Sequence, residues 1–269
     1  MTVLQAVILG IVQGLTELLP VSSSAHLVIA QSYMAGFSQP GVLFDAVLHL
    51  GTLFSVIYFF RNDIVSLTVS ILPGLSRHDI PKEQQKACRK VVGLILISTA
   101  ITALVGFTFK ERIENLFSSV TVAASMLFVT GLLLFLSDWK KHVDKNEENL
   151  SAAGAAAIGL IQAVALIPGI SRSGSTIVCG IFLGLKREAA ARYSFLLSIP
   201  AIIGAVALQA PHFSAVTAGE FLPYALGFTT AAITGFFSLH LLYFVIRRAK
   251  LQFFAYYCWL IGGAVLLSL

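Results

Sequence analysis

Charge is what this sequence has least of. Eighteen Lys and Arg and thirteen Asp and Glu are spread over 269 residues, so charged residues make up 12% of the chain, about half the roughly 25% of a soluble domain. So few charges argue against a nucleic-acid partner, and so little polarity argues against a disordered chain. Cysteine is also scarce. Cys88, Cys179 and Cys258 are odd in number and widely spaced, with no CxxC pair, which suggests neither a disulfide framework nor a zinc site. Basic residues are absent before Arg61, so a cleavable signal peptide with its basic n-region is not expected. Apolar residues, 57% of the sequence, fill the space. The composition predicts an integral membrane protein, with membrane lipids as its surroundings.

Crossing about 30 Å of hydrocarbon takes roughly 20 apolar helical residues. Six stretches meet that length, at about 42–60, 91–109, 119–137, 189–209, 222–246 and 251–269. Two more, 2–36 and 152–185, are interrupted by Pro20-Val21-Ser22-Ser23-Ser24 and by Pro168-Gly169-Ile170-Ser171-Arg172-Ser173. Proline disrupts the helix before it and serine caps the helix after it, so each stretch is predicted to be a helix, a loop and a second helix. Such a break is tolerated within a membrane only inside protein or beside water.

The two broken stretches resemble each other. Gly10-Ile11-Val12-Gln13 matches Gly159-Leu160-Ile161-Gln162, and at the same offset Ser22 falls on Ser171 and Ser24 on Ser173, with Pro20 and Pro168 one position out of register. The chain therefore reads as one membrane domain, 1–269, made of two repeats, 1–150 and 151–269. Each repeat is a broken hairpin plus three spans, and an odd number of crossings inverts the second copy, which places a site between the broken helices. The predicted fold class is an all-α integral membrane protein with six transmembrane helices and two re-entrant hairpins in an inverted-topology repeat.

The distribution of bases agrees with re-entry. With residues 61–90 inside, one face collects Arg61, Arg77, Lys82, Lys86, Arg89 and Lys90, then Lys140, Lys141 and Lys145, then Lys186, Arg187 and Arg192, and finally Arg247, Arg248 and Lys250. Lys110 and Arg112 fall outside, and Arg172 falls in a break. By the positive-inside rule both termini lie outside and the first hairpin opens outward.

Few ionisable residues then remain in the apolar segments: Glu17, His26, Asp45, His49, Arg172 and His240. Each costs about 2.5–3.5 kcal/mol to insert, which makes function the default reading. His240 stands alone and is expected to make a structural hydrogen bond. Asp45 and His49, four apart, either satisfy each other or support a site from behind. Glu17 and Arg172 each lie beside a break, and facing breaks would bring them together. A structural salt bridge is the plainer alternative, but it does not need Ser22, Ser23, Ser24, Ser171, Ser173 and Ser175 around it. Helix N-termini, serine hydroxyls and an arginine make an anion site suited to phosphate. Gln13 and Glu17, one turn apart, could hold a hard cation such as Mg²⁺. His26, one turn beyond Ser22 and Ser23, is placed to act as base or acid for an attacking hydroxyl or water.

The stretch Gln13-Gly14-Leu15-Thr16-Glu17-Leu18-Leu19-Pro20-Val21-Ser22-Ser23-Ser24-Ala25-His26, together with Pro168-Gly169-Ile170-Ser171-Arg172-Ser173-Gly174, closely resembles the two signature motifs of bacterial undecaprenyl-diphosphate phosphatases of the bacitracin-resistance type. Similarity extends over nearly the whole chain and includes Phe44-Asp45 and Leu48-His49-Leu50-Gly51-Thr52. The resemblance implies an inner-membrane, multi-pass hydrolase that removes the terminal phosphate of a C55 polyprenyl diphosphate, regenerating the carrier for peptidoglycan and other wall polymers. It also implies a divalent cation, Mg²⁺ or Ca²⁺, and bacitracin as a competitor for the lipid substrate rather than a ligand of the protein. A homodimer is a further partner state to consider. By resemblance Glu17 is an acidic site residue, His26 the motif histidine and Arg172 the phosphate-binding arginine, with Ser22, Ser23, Ser171 and Ser173 also matching. Many members carry Glu where this chain has Gln13, which removes one negative charge from the expected metal site. The nucleophile stays open between Ser23, His26 and water. Inverted repeats are also transporter architecture, so a secondary transporter or flippase of a prenyl-phosphate lipid or other anion is the alternative function.

Overall fold

The computed structural model describes residues 1–37, 42–72, 81–139, 143–211, 219–248 and 250–269. Among them the ordered secondary structure is helical: α1 Val3–Leu18, α2 Ser23–Tyr33, α3 Val42–Phe59, α4 Arg61–Ile71, α5 Lys82–Thr108, α6 Lys110–Leu116, α7 Val120–Ser137, α8 Ala152–Val164, α9 Arg172–Phe182, α10 Arg187–Gln209, α11 Phe221–Arg248 and α12 Gln252–Ser268. Arg77, Lys140 and Lys141 of the predicted basic face lie outside the described residues.

Both predicted helix, loop, helix stretches are present. α1 opens on a capping box, in which the Thr2 side chain accepts from the Gln5 amide and the Gln5 side chain accepts from the Thr2 amide. It stops two residues before Pro20, as a proline forces on the turn preceding it. α8 opens on Ser151, whose side chain accepts from the Gly154 amide.

α5, α7, α10 and α11 are each long and apolar enough to cross a membrane. Of the other two predicted spans, that at 42–60 forms the 18-residue α3, after which the chain bends by 78° into α4. The stretch at 251–269 forms a 17-residue helix, at the short end of the spanning range. The chain is thus an all-helical, multi-pass membrane protein.

Small residues let the helices approach closely, since burial against lipid adds no hydrophobic drive between them. α1 lies against α11, and α3 against both α10 and α11. A Cβ on Gly14 would collide with Thr234 Oγ1 and stand 2.7 Å from the Ala231 carbonyl oxygen. α8 lies equally close to α5, where Ser98 Oγ donates to the Ala155 carbonyl at 2.7 Å and Thr102 Oγ1 to the Gly159 carbonyl at 3.0 Å. Elsewhere Arg192 of α10 ties Asp63 of α4 to Glu147 through one guanidinium, with Nη1 2.8 Å from Glu147.

Candidate active site

The first break holds an unusual backbone. Ser22 has φ +70° and is the only non-glycine with positive φ among the described residues. Such a conformation costs on the order of 1–3 kcal/mol and is kept where the surroundings over-determine it. The Ser22 side chain accepts from the Ala25 amide at 3.4 Å and thereby caps α2. In the second break Gly169 takes φ +100°, where a Cβ would strike the Ala123 carbonyl oxygen. Ser171 caps α9, accepting from the Gly174 amide at 3.0 Å. Thr130 of α7 braces that loop by donating to the Gly169 carbonyl at 2.8 Å and accepting from the Ser171 amide at 2.9 Å.

The two breaks touch. The Gly169 amide donates to Ser24 Oγ at 3.3 Å, and Ser173 Oγ reaches the carbonyls of Glu17 and Leu19 at 3.4 Å each. Ser24 Oγ is also 3.1 Å from Ser22 Oγ, and Ser171 Oγ is 3.4 Å from Ser173 Oγ.

Glu17 stands at the junction, buried at the end of α1. Arg172 Nη2, at the first turn of α9, holds its Oε1 in an ion pair. Its Oε2 accepts from Ser23 Oγ at 2.5 Å and from Gln13 Nε2 at 3.3 Å, and His49 Nε2 lies 3.4 Å away. Four residues, one from each of four helices, therefore converge on one carboxylate. Arg172 Nη1 and Ser175 Oγ are buried with no partner of their own, leaving unused donors beside the junction.

His26, placed by its one-turn spacing from Ser22 and Ser23 to act as base or acid for an attacking hydroxyl or water, does not bond the Ser23 hydroxyl, which gives its hydrogen to Glu17. The His26 ring turns the other way, with Nδ1 2.7 Å from the Ser22 carbonyl and Nε2 3.0 Å from the Tyr257 hydroxyl of α12. Helical spacing fixes which residues share a face, not the rotamer each chooses.

Asp45 and His49 do not satisfy each other through their side chains. His49 Nδ1 meets the Asp45 carbonyl at 2.7 Å, which turns Nε2 toward Glu17, while Asp45 Oδ1 accepts from Gln31 Nε2 at 2.9 Å. His49 thus belongs to the site. His240 makes a backbone hydrogen bond to Phe236 at 2.9 Å among aromatic rings, the structural role expected of it. Tyr257 and Thr130 gave no signal in the sequence, because an isolated hydroxyl in an apolar helix has no pattern.

Among the described residues no group of three or more His, Cys, Asp or Glu is arranged to hold a metal ion. The oxygens of Glu17 and Gln13 nevertheless suit a cation that takes most of its shell from water and phosphate. Gln13 Oε1 is buried without a partner beside the carboxylate, so one neutral oxygen ligand is unused.

An all-helical, multi-pass bundle with a buried carboxylate–guanidinium pair where two helix breaks meet belongs to the class of membrane proteins that carry a polar site among apolar helices. Comparison with known proteins gives the family. The family model described as "Bacitracin resistance protein BacA" matches residues 6–264, and the chain belongs to that family. It is 43% identical to an undecaprenyl-diphosphatase of Syntrophotalea carbinolica over 98% of this chain and 97% of the relative. It is 41% identical to one of Methanobrevibacter smithii over 100% and 98%, and 42% identical to one of Desulforapulum autotrophicum over 97% and 96%.

Proposed function

We propose that this protein is an undecaprenyl-diphosphatase, hydrolysing undecaprenyl diphosphate to undecaprenyl phosphate and inorganic phosphate and so returning the lipid carrier to cell-wall synthesis. One observation carries the reading at the level of the site: the Glu17 carboxylate, held by Arg172 on one oxygen and by the Ser23 hydroxyl on the other, where the breaks touch. Full-length similarity to relatives bearing that name supports it over a transporter or flippase.

In this reading the prenyl tail lies among lipid and the diphosphate enters between the breaks. Arg172, with Nη1 free to donate, and the N-termini of α2 and α9 offset the phosphate charge, assisted by Ser22, Ser24, Ser171 and Ser173. Ser23 Oγ, or a water in its place, attacks the terminal phosphorus while Glu17 takes the departing proton. The bond from phosphorus to the bridging oxygen breaks, and its electron pair leaves on the prenyl monophosphate. If Ser23 attacks, water then cleaves the phosphoserine. Glu17 is thus the base for Ser23, and His26 stays one turn from Ser23, open to act as base or acid for a water. A cation, Mg²⁺ or Ca²⁺, would be held by Glu17 and Gln13, and when bound it supplies positive charge to phosphate oxygens. Positioning and charge stabilisation are most of what phosphoryl transfer requires.

The six-span, two-hairpin inverted repeat belongs to the same proposal. Some helix contacts pair off as an exchange of 1–150 with 151–269 would require, although those of α1 with α3 and of α7 with α2 and α9 do not. α1 lies on α11 as α8 lies on α5, α3 on α11 as α10 on α5, and α3 with α10 and α7 with α12 pair as counterparts. Gln13 and Gln162, at matching positions, both leave a buried Oε1 unpartnered. With the basic face inward, this arrangement puts the site toward the outer face of the bacterial plasma membrane, where bacitracin would compete for the lipid.

The deciding experiment is phosphate release from defined undecaprenyl diphosphate by detergent-purified protein, with and without EDTA. Cation-dependent release supports the reading, and lipid transport in liposomes without release supports the alternative. Labelling of a Ser24→Cys variant by an impermeant thiol reagent from the outer side alone is expected, and labelling from the cytoplasmic side alone would reverse the orientation.

A further inference from the structure

The ring of His26 has two fixed neighbours, and together they settle what its nitrogens can do. Nδ1 is 2.7 Å from the Ser22 carbonyl oxygen, and a carbonyl can only accept, so Nδ1 carries the hydrogen. In the neutral ring the other nitrogen is then an acceptor. Nε2 lies 3.0 Å from Tyr257 Oη, so the tyrosine hydroxyl is the donor. The two rings also stack, with centroids 5.6 Å apart and planes 6° from parallel.

This arrangement links the second repeat to the strained point of the first. Tyr257 is on α12, which otherwise packs along α7, and its hydroxyl crosses to α2. The carbonyl that His26 holds belongs to Ser22, the residue with φ +70°. A neutral imidazole free to rotate could present either nitrogen, whereas one held at both edges presents a defined acceptor at Nε2. Tyr257 is 40% exposed, so its hydroxyl is not sealed in the core and can yield Nε2 to an incoming group.

We infer that Tyr257 is a positioning residue for the reaction: its hydroxyl and ring fix the Nδ1–H tautomer and the plane of His26, so that Nε2 is the acceptor available to an attacking water. The inference rests on the phosphatase reading for its catalytic part and on geometry alone for the contact.

Tyr257→Phe keeps the stacked ring and removes only the hydroxyl. The expected result is a fall in kcat of about tenfold, the order of one hydrogen bond, with KM for undecaprenyl diphosphate within about twofold of wild type. In resting protein labelled with ¹⁵N-histidine in micelles, the Nε2 resonance of His26, assigned by its loss in His26→Ala, should shift in Tyr257→Phe. Tyr257→Ala, which also removes the stack, should lower kcat further. A wild-type kcat in Tyr257→Phe, or a lowered kcat with the His26 resonance unmoved, overturns the inference. If wild-type protein releases no phosphate, the phosphatase reading fails, while the resonance still decides whether the contact exists.

Discussion

Ser23 donates its hydroxyl hydrogen to Glu17 at 2.5 Å across the first helix break. Six residues separate them in sequence, and only the turn at Leu19 to Ser22 allows the end of α1 and the start of α2 to face one another. Without the break, residues six apart on a continuous helix would lie about 9 Å apart along the axis and about 120° apart around it.

That pairing predicts a dissection. Glu17→Gln removes the proton acceptor and should lower kcat by about 10²- to 10⁴-fold while the protein still purifies folded. If Ser23 is the nucleophile, Ser23→Ala should remove a phosphoserine that is trappable by rapid quench with labelled lipid diphosphate. Persistence of activity near wild type in Glu17→Gln would exclude the carboxylate as base.

Arg172→Lys keeps one positive charge but loses the planar fork that grips Glu17 with Nη2 and leaves Nη1 free. A lysine has a single ammonium, so the Glu17 carboxylate and, on the proposed function, the phosphate would have to share one point charge. A drop in kcat/KM of about a hundredfold is expected, in line with losing one donor to developing charge. A steady-state assay showing wild-type turnover would remove the guanidinium from the phosphate site.

Gly14→Ala tests the α1–α11 contact. Alanine gains about 1 kcal/mol over glycine in helix propensity, but its Cβ meets Thr234 Oγ1 and the α11 backbone. Overpacking costs about 1–3 kcal/mol, so the net effect should be destabilising, read as a lower thermal midpoint in detergent. Because Glu17 is three residues further along the same helix, activity should fall with it.

Glu147, outside the membrane segments, makes a prediction about pH. Burial pushes its carboxyl above the ordinary range, although Arg192 opposes the shift. The unfolded chain gives up that proton first, so the folded state binds more protons just above the ordinary Glu value, near pH 4.3. Stability contributed by this group is present below that value and is lost as pH rises through the raised one. Glu147→Gln, fixed in the neutral form, should flatten the dependence and match or exceed the wild-type midpoint at neutral pH. A loss of several degrees at neutral pH would mean that the charged pair is net stabilising.

The sequence made the broken helices, their serine caps and the meeting of Glu17 with Arg172 legible, because prolines, serines and lone charges in apolar runs are strong local signals. At His26 spacing identified the helix face but not the rotamer, which turns the ring toward α12. His49 was readable only as a neighbour of Asp45. What joins it to Glu17 is the distance between α3 and α1, set by Gly51 lying close to α11 and by tertiary packing that no local pattern encodes. The bend between α3 and α4 was hidden for a similar reason, since residues 42–60 look like an ordinary span by composition.

The ion pair between Arg172 and Glu17 has a consequence for turnover. On the proposed function, an arriving phosphate would take the free Nη1 first and contend with the Glu17 carboxylate only for Nη2. When phosphate leaves, the same carboxylate would be at hand to retake that donor. The resting site would then carry its own exchangeable anion, tethered to α1, which would favour release of the product.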